Sequence, residues 1–204
     1  MPVIFYEDIK PHDSACVWHI TETEESLFEG VHLSETEQSS ILSLPLLKRR
    51  RERIACRNAL AFLLKTPFIQ VNYGNFGEPL IPNAFVSFSH SGDYAAVALS
   101  RDHVVGIDIE KISDKIVNLH SKFVNEYEKE FVDLSNARDI TLIWCAKEAI
   151  YKLFSGNSID FLHDIKVDTS YQTASLKLAE TSFSIKLSHW QVDDMMVVVA
   201  ALSF

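Results

Sequence analysis

Hydrophobic positions along the chain follow two periods. Near the start, the β-branched and aromatic residues of VIFYEDI and SACVWHI recur as strand material does. Two helix starts come next, because Thr21 with Glu24, and Ser34 with Glu37, each fit the S/T-x-x-E capping box. Over residues 46–65 the apolar positions Leu47, Ile54, Leu60, Leu63 and Leu64 predict a long helix, which Pro67 stops. The turn-rich NYGNFGEPLIPN then leads into three strand-like runs, AFVSFSH, YAAVALS and VVGIDIE. Beyond Ile112 the period becomes helical again. VNEYEKEFVDL predicts a helix capped by Asn125, and a second is expected over residues 139–155 with Gly156 as its C-cap. From Ile165 onward, IKVDTS, ASLKLAE, SFSIKLSHW and MMVVVAALS read as strands of a meander.

One echo crosses the chain. SHSGDYAAVALS at residues 89–100 resembles SHWQVDDMMVVVAALS at residues 188–203, with a spacing that differs by four residues. Either two buried strands resemble each other by chance, or the chain holds two α+β subdomains of related design, with VVGIDIE near the seam.

Bulk properties narrow the classes. The 204 residues suffice for one large domain or two small ones, and 47% hydrophobic with 23% charged residues is a globular composition. The apolar run Met195–Leu202 is far shorter than the roughly 20 residues that span a bilayer. The opening MPVIFYEDIK lacks a basic region followed by an apolar one, so an unexported, soluble, cytoplasmic protein is expected. Cys16, Cys56 and Cys145 show no CxxC spacing, which suggests neither a disulfide framework nor a zinc site. A net charge of −9 argues against general nucleic-acid affinity, which comes mainly from Lys and Arg on phosphates.

Against that background four features could carry chemistry. In VGIDIE, alternation puts Asp108 and Glu110 on one strand face, either as a solvated acidic edge or as ligands of a hard cation such as Mg²⁺. In WCAKEAIYKL, Trp144, Glu148 and Lys152 recur at i, i+4, i+8 along one helix face. The bland reading is a surface ion pair, but Ile143, Ala146, Ile150, Leu153 and Phe154 already supply a core face, so an aromatic on the other side suggests a covered surface. In SFSHSGDY, His90 lies among small residues that let backbone N–H groups approach an anion, although a lone loop histidine is commonly structural. Finally, KRRRER at residues 48–53 opens a helix on which Arg50, Arg53 and Arg57 share one face. A solvated face is the default there; arginine forks also suit a discrete phosphate monoester.

GIDIE followed by WCAKEAIYK closely resembles the signature of the 4′-phosphopantetheinyl transferases, of the Sfp-like type in which a single chain carries two similar subdomains. SFSHS, the arginine-bearing helix and NFGEP fall in the family's order, so the resemblance spans residues 33–154. It implies an α+β fold of two pseudo-twofold subdomains, each a small antiparallel sheet packed with a long helix. Residues 1–108 would form the coenzyme A nucleotide side, and residues 109–204 the side with the metal and the catalytic helix. It implies transfer of the phosphopantetheine arm of coenzyme A to a serine of an apo acyl or peptidyl carrier protein, releasing 3′,5′-ADP, by a monomer that binds neither nucleic acid nor membrane. Asp108, Glu110 and Glu148 would hold Mg²⁺, or Mn²⁺ in its place, with Glu148 also the base for the serine and Lys152 beside the transferred phosphate. Ser89 and His90 would lie near the nucleotide phosphates, Lys147 at the pyrophosphate or pantetheine, and Arg50, Arg53 or Arg57 at the adenosine 3′-phosphate. One position departs from the pattern: Gly77-Glu78-Pro79 stands where the family usually has Gly-Lys-Pro, an anion in place of a cation.

Three other classes compete. A carrier-protein or coenzyme A binder without turnover would bind the nucleotide and transfer nothing. A Mg²⁺-dependent phosphohydrolase would use similar carboxylates with no carrier present. A nucleic-acid module built on the arginine helix would show steep salt dependence.

Overall fold

The computed structural model describes residues 2–203, which divide into two compact units, Met1–Asp102 and His103–Phe204. The division falls between Asp102 and His103 rather than after Asp108, because the strand that carries Asp108 is paired throughout within the second unit.

The first unit opens with β1 (Val3–Lys10) and β2 (Asp13–His19), continues through α1 (Glu24–Glu29), α2 (Glu35–Leu42) and α3 (Leu47–Leu64), and closes with β3 (Asn72–Tyr73), β4 (Pro79–Ile81), β5 (Ala84–Ser91) and β6 (Tyr94–Ser100). Its six strands lie in the order β1-β2-β6-β5-β4-β3, each pair antiparallel. Helix α3 covers β2, β5 and β6, and buries Ile54, Ala55, Cys56, Ala59 and Leu60. Ser34 caps α2 by accepting the Glu37 N–H, as the capping box predicts. At α1 the cap is Thr23, which accepts the Ser26 N–H, and not Thr21. Helix α3 ends at Lys65, whose left-handed backbone (φ 56°) lets it close the last turn before Pro67.

The second unit runs β7 (Val105–Lys111), α4 (Asp114–Val117), α5 (Ala137–Leu153), β8 (Ile165–Val167), β9 (Thr173–Leu178), β10 (Thr181–Val192) and β11 (Met195–Leu202). Its sheet has the order β7-β11-β10-β9-β8, again antiparallel, with α5 laid on β7 and β11. The continuous helix expected from Asn125 is a single 3-10 turn, Glu128–Glu130. The capping box is present, since Asn125 Oδ1 accepts the Glu128 N–H and Glu128 Oε2 accepts the Asn125 N–H. The chain does not continue as helix because the Glu128 carboxylate is fully buried and also holds Lys147 and the Val167 N–H.

The sequence echo falls on equivalent hairpins. β5 and β6 turn at Gly92-Asp93, one pair after His90↔Ala95; β10 and β11 turn at Asp193-Asp194, three pairs after His189↔Val198. Two further pairs account for the four extra residues. Both turns open on a left-handed residue, Gly92 (φ 61°) and Asp193 (φ 53°), as two-residue hairpin loops require. Each unit therefore repeats one plan, a strand, a long helix, then a hairpin whose second strand inserts beside the first: β2, α3, β5, β6 and β7, α5, β10, β11. Among the described residues no helix is long and apolar enough to cross a membrane.

Candidate functional site

In the second unit the site grows from β7 and α5. Gly106 sets their separation: a Cβ there would lie 2.0 Å from the Ala149 carbonyl oxygen, so only glycine lets the helix come this close. Sequence reasoning passed over this residue, although it heads the GIDIE run. The close approach brings Lys152 over the strand, where its Nζ donates to the Ile107 carbonyl at 2.6 Å and to Asp108 Oδ1 at 2.9 Å. The ammonium of the supposed i, i+4 pair is thus drawn across to β7. Asp108 is 4% exposed, and Glu110 lies two residues along the same face.

Glu148 sits in the field of these groups. Burial, then the Asp108 carboxylate, with a smaller push from Glu110, moves its carboxyl up to about 7 against the pull of Lys152. Burial together with Asp108 and Glu110 also pushes the Cys145 thiol up, so Cys145, whose Sγ lies 3.7 Å from the Met196 carbonyl, stays a neutral core residue. Among the described residues no three His, Cys, Asp or Glu side chains are already gathered as a metal cage. The donor set nevertheless fits a hard divalent cation: carboxylates on β7 and α5 lie close enough that, after burial, Asp108 and Glu110 both raise the Glu148 carboxyl. Trp144 meets Phe123 at 5.0 Å and Phe161 at 5.6 Å between ring centroids, so its side of α5 is covered by loops, as its place on the Glu148 and Lys152 stripe suggests.

Lys147 does not face a ligand. It is 0% exposed, and its Nζ donates to Glu128 Oε2 at 2.8 Å and to the carbonyls of Phe123 (2.6 Å), Phe161 (2.7 Å) and Ile165 (3.2 Å). Every donor of the ammonium is used inside the protein, which corrects the expectation that it reaches pyrophosphate or pantetheine. Burial lowers its pKa, and the Glu128 carboxylate works against that shift.

In the first unit, α3 and β5 meet at a second cluster. Glu52, 2% exposed, accepts from Arg49 Nη1 at 2.9 Å and lies 3.5 Å from His90 Nδ1, while Arg49 and His90 are 3.4 Å apart. Arg49 escaped the sequence reading because its neighbours Arg50 and Arg53 fit the helical period better. Strand alternation separates Ser89 from His90: Phe88 and His90 look toward α3, whereas Ser89 points to the other face and is buried. The two are not brought together as a pair.

The three candidate arginines also part company. Arg50 is drawn to Glu24 (2.6 Å) and to the Leu44 carbonyl (2.9 Å). Arg57, 1% exposed, donates from Nε to Glu37 Oε1 at 2.5 Å, and its guanidinium stacks over Phe88 at 4.9 Å. Arg53 and Arg57 both donate to the Tyr73 hydroxyl, at 2.9 and 2.8 Å. Burial weighs against the Arg57 charge, but Tyr73 and Glu37 outweigh it and raise its pKa, so the guanidinium is firmly cationic. Glu78 turns back on its own loop, where its carboxylate accepts the Phe76 N–H at 2.9 Å and lies against Gly74.

Residues 104–202 match the sequence model of the 4′-phosphopantetheinyl transferase superfamily. Enterobactin synthase component D of Salmonella typhi is 32% identical over 116 residues, which cover 53% of this chain and 49% of that protein. 4′-Phosphopantetheinyl transferase AcpT of Escherichia coli (strain K12) is 27% identical over 159 residues, 74% of this chain and 75% of the relative. The chain thus spans about half the length of the first relative and three quarters of the second.

Proposed function

This chain belongs to the 4′-phosphopantetheinyl transferase superfamily, and on that premise we propose that it transfers the phosphopantetheine arm of coenzyme A to a serine of an apo acyl or peptidyl carrier protein, releasing 3′,5′-ADP. The observation that carries the reading is the meeting of β7 and α5, where Lys152 donates to Asp108 at 2.9 Å and Glu148 lies in the field of Asp108 and Glu110. Glu148 would take the hydroxyl proton of the attacking serine, as a carboxylate held beside the transferred phosphate can. Lys152, anchored on Asp108 and the Ile107 carbonyl, presents fixed positive charge to the phosphate being transferred. Asp108, Glu110 and Glu148 would hold Mg²⁺, with Mn²⁺ able to replace it; when bound, the ion neutralises charge gathering on the pyrophosphate oxygens. In the first unit, His90 with Arg49 offers donors to the nucleotide phosphates, and Arg53, with the buried Arg57 cation behind it, offers a guanidinium to the 3′-phosphate. The enzyme is proposed to act as a cytoplasmic monomer.

Intact mass of an apo acyl carrier protein after incubation with this protein and coenzyme A, with and without Mg²⁺, tests the reading. The expected result is a Mg²⁺-dependent gain of one phosphopantetheine arm, abolished by Glu148→Gln. Coenzyme A binding with no gain on any of several carriers would instead identify a binder without turnover, and transfer undiminished in Glu148→Gln would remove the role assigned to Glu148.

A further inference from the structure

Arg53 and Arg57 leave α3 and converge on one oxygen, the Tyr73 hydroxyl, at 2.9 and 2.8 Å. The tyrosine ring lies beside both guanidinium groups, with Cζ 5.4 and 5.9 Å from its centroid. A phenolic oxygen can accept two hydrogen bonds and donate one. Here two charged donors occupy the accepting positions, so the O–H itself is the remaining polar contact, and the guanidinium groups polarise it into a stronger donor. Glu37 balances the Arg57 charge, which leaves the Arg53, Arg57 and Tyr73 group with an excess positive charge. Such a set of donors suits a phosphate monoester dianion.

The position of Tyr73 is the second observation. It sits on β3, a two-residue strand at the edge of the sheet, and is 45% exposed, so burial does not account for its placement. No lysine or arginine occurs between Lys65 and Arg101, and Glu78, at the position where the family usually carries a cation, is folded onto its own loop. The positive charge beside this hairpin is that of Arg53 and Arg57 on α3, and Tyr73 is the hairpin residue that reaches it.

We propose that Tyr73 is a substrate-contacting specificity residue, whose hydroxyl, held by Arg53 and Arg57, donates to the 3′-phosphate of coenzyme A and sets the preference for the 3′-phosphorylated nucleotide. This rests on the transferase reading above. It assigns the 3′-phosphate to Arg53 and Tyr73, with the buried Arg57 behind them, and leaves Arg50 to Glu24 and the Leu44 carbonyl.

Tyr73→Phe keeps the ring beside both arginines and removes only the hydroxyl. Calorimetric titration of the full chain with coenzyme A and with 3′-dephospho-coenzyme A, alongside steady-state transfer to an acyl carrier protein, reads the effect. Loss of one charge-assisted hydrogen bond should weaken coenzyme A binding and raise its KM by about tenfold. The loss should fall on KM and not on kcat, and the dephospho-nucleotide affinity should stay unchanged. An equal loss for both nucleotides, or no loss for either, overturns the proposal, and so does a Tyr73→Phe effect that vanishes in an Arg53→Met background, which would reduce Tyr73 to a prop for the arginines. A wild-type chain that transfers from both nucleotides with equal KM overturns it too, while leaving the transferase reading in place. If no transfer occurs but the titrations still discriminate in the wild type and not in Tyr73→Phe, the contact stands and the transferase reading falls.

Discussion

The two units share one plan and fill it with different chemistry. In the first sheet Ala95 of β6 lies between His90 of β5 and Trp18 of β2; in the second, Val198 of β11 lies between His189 of β10 and Asp108 of β7. The ladder place of Asp108 is thus held by a tryptophan in the first unit. The histidines diverge as well: His90 joins Arg49 and Glu52, whereas His189 stands edge-on to Tyr171 with a pKa lowered by burial. Pairing and burial require strands of this length and pattern at these places, and they tolerate either filling. Chemistry is assigned by which residues the strand-borne positions carry, and the repeated scaffold leaves that choice open.

Buried cations mark the same contrast, and substitution should expose it. Lys147→Met strands the fully buried Glu128, so a loss of about 3–5 kcal/mol is expected in urea unfolding of the second unit. Arg57→Met breaks a comparable pair in the first unit, but Glu37 lies on α2, whose other residues are largely exposed, and can turn to water. A smaller loss, about 2 kcal/mol, is expected there. Equal losses would show that the two long helices are pinned in the same way.

Glycines give the next largest difference. At Gly106 an added methyl meets the backbone oxygen of Ala149 at 2.0 Å, so Gly106→Ala should force α5 off β7 at a cost of about 1–3 kcal/mol and reduce transfer. At Gly30 the nearest atom, at 2.1 Å, is the end of the Asn58 side chain, which can shift, and Gly30→Ala should cost less in the same thermal melts. If Gly30→Ala proves the more harmful, helix approach is more tightly set in the first unit than the geometry indicates.

A further difference concerns pH. The Glu148 carboxyl is raised from 4.5 to about 7 in the folded protein, so the native state holds a proton that the unfolded chain releases between those values. Stability should therefore fall as pH rises through that window and level off above it. Glu148→Gln should flatten the profile, measured as melting temperature against pH without divalent metal. A wild-type profile already flat between pH 5 and 7 would show that the carboxyl is not raised.

Much of the framework was legible in the local pattern. The α3 period places Ile54 and Leu60 in the core, though not Leu47, which is exposed, and the α5 stripe buries Ile143, Ala146 and Ile150, because these positions depend on near neighbours. The stripe of Trp144, Glu148 and Lys152 and the GIDIE face were likewise visible, and the structure brings Lys152 to Asp108. What escaped depends on distant partners. Lys147 looks identical to an exposed lysine in sequence, and only the carbonyls of Phe123, Phe161 and Ile165 reveal where it goes. Tyr73 lies in a turn-rich stretch with no period, and its contact to α3 spans sixteen residues. Asn125 and Glu128 form the expected capping bonds, but these open only a 3-10 turn, because Glu128 also holds Lys147 and the Val167 N–H.

Strand β11 lies between β7 and β10, and it is the last strand of its unit to be made. During synthesis β7 emerges well before β11, with its pairing edge and its carboxylates lacking their eventual neighbour. Long-range closure of this kind is slow and exposes unpaired edges to association. The second unit cannot complete its sheet until residues 195–202 have left the ribosome, so the acidic site is among the last parts of the protein to acquire its shape.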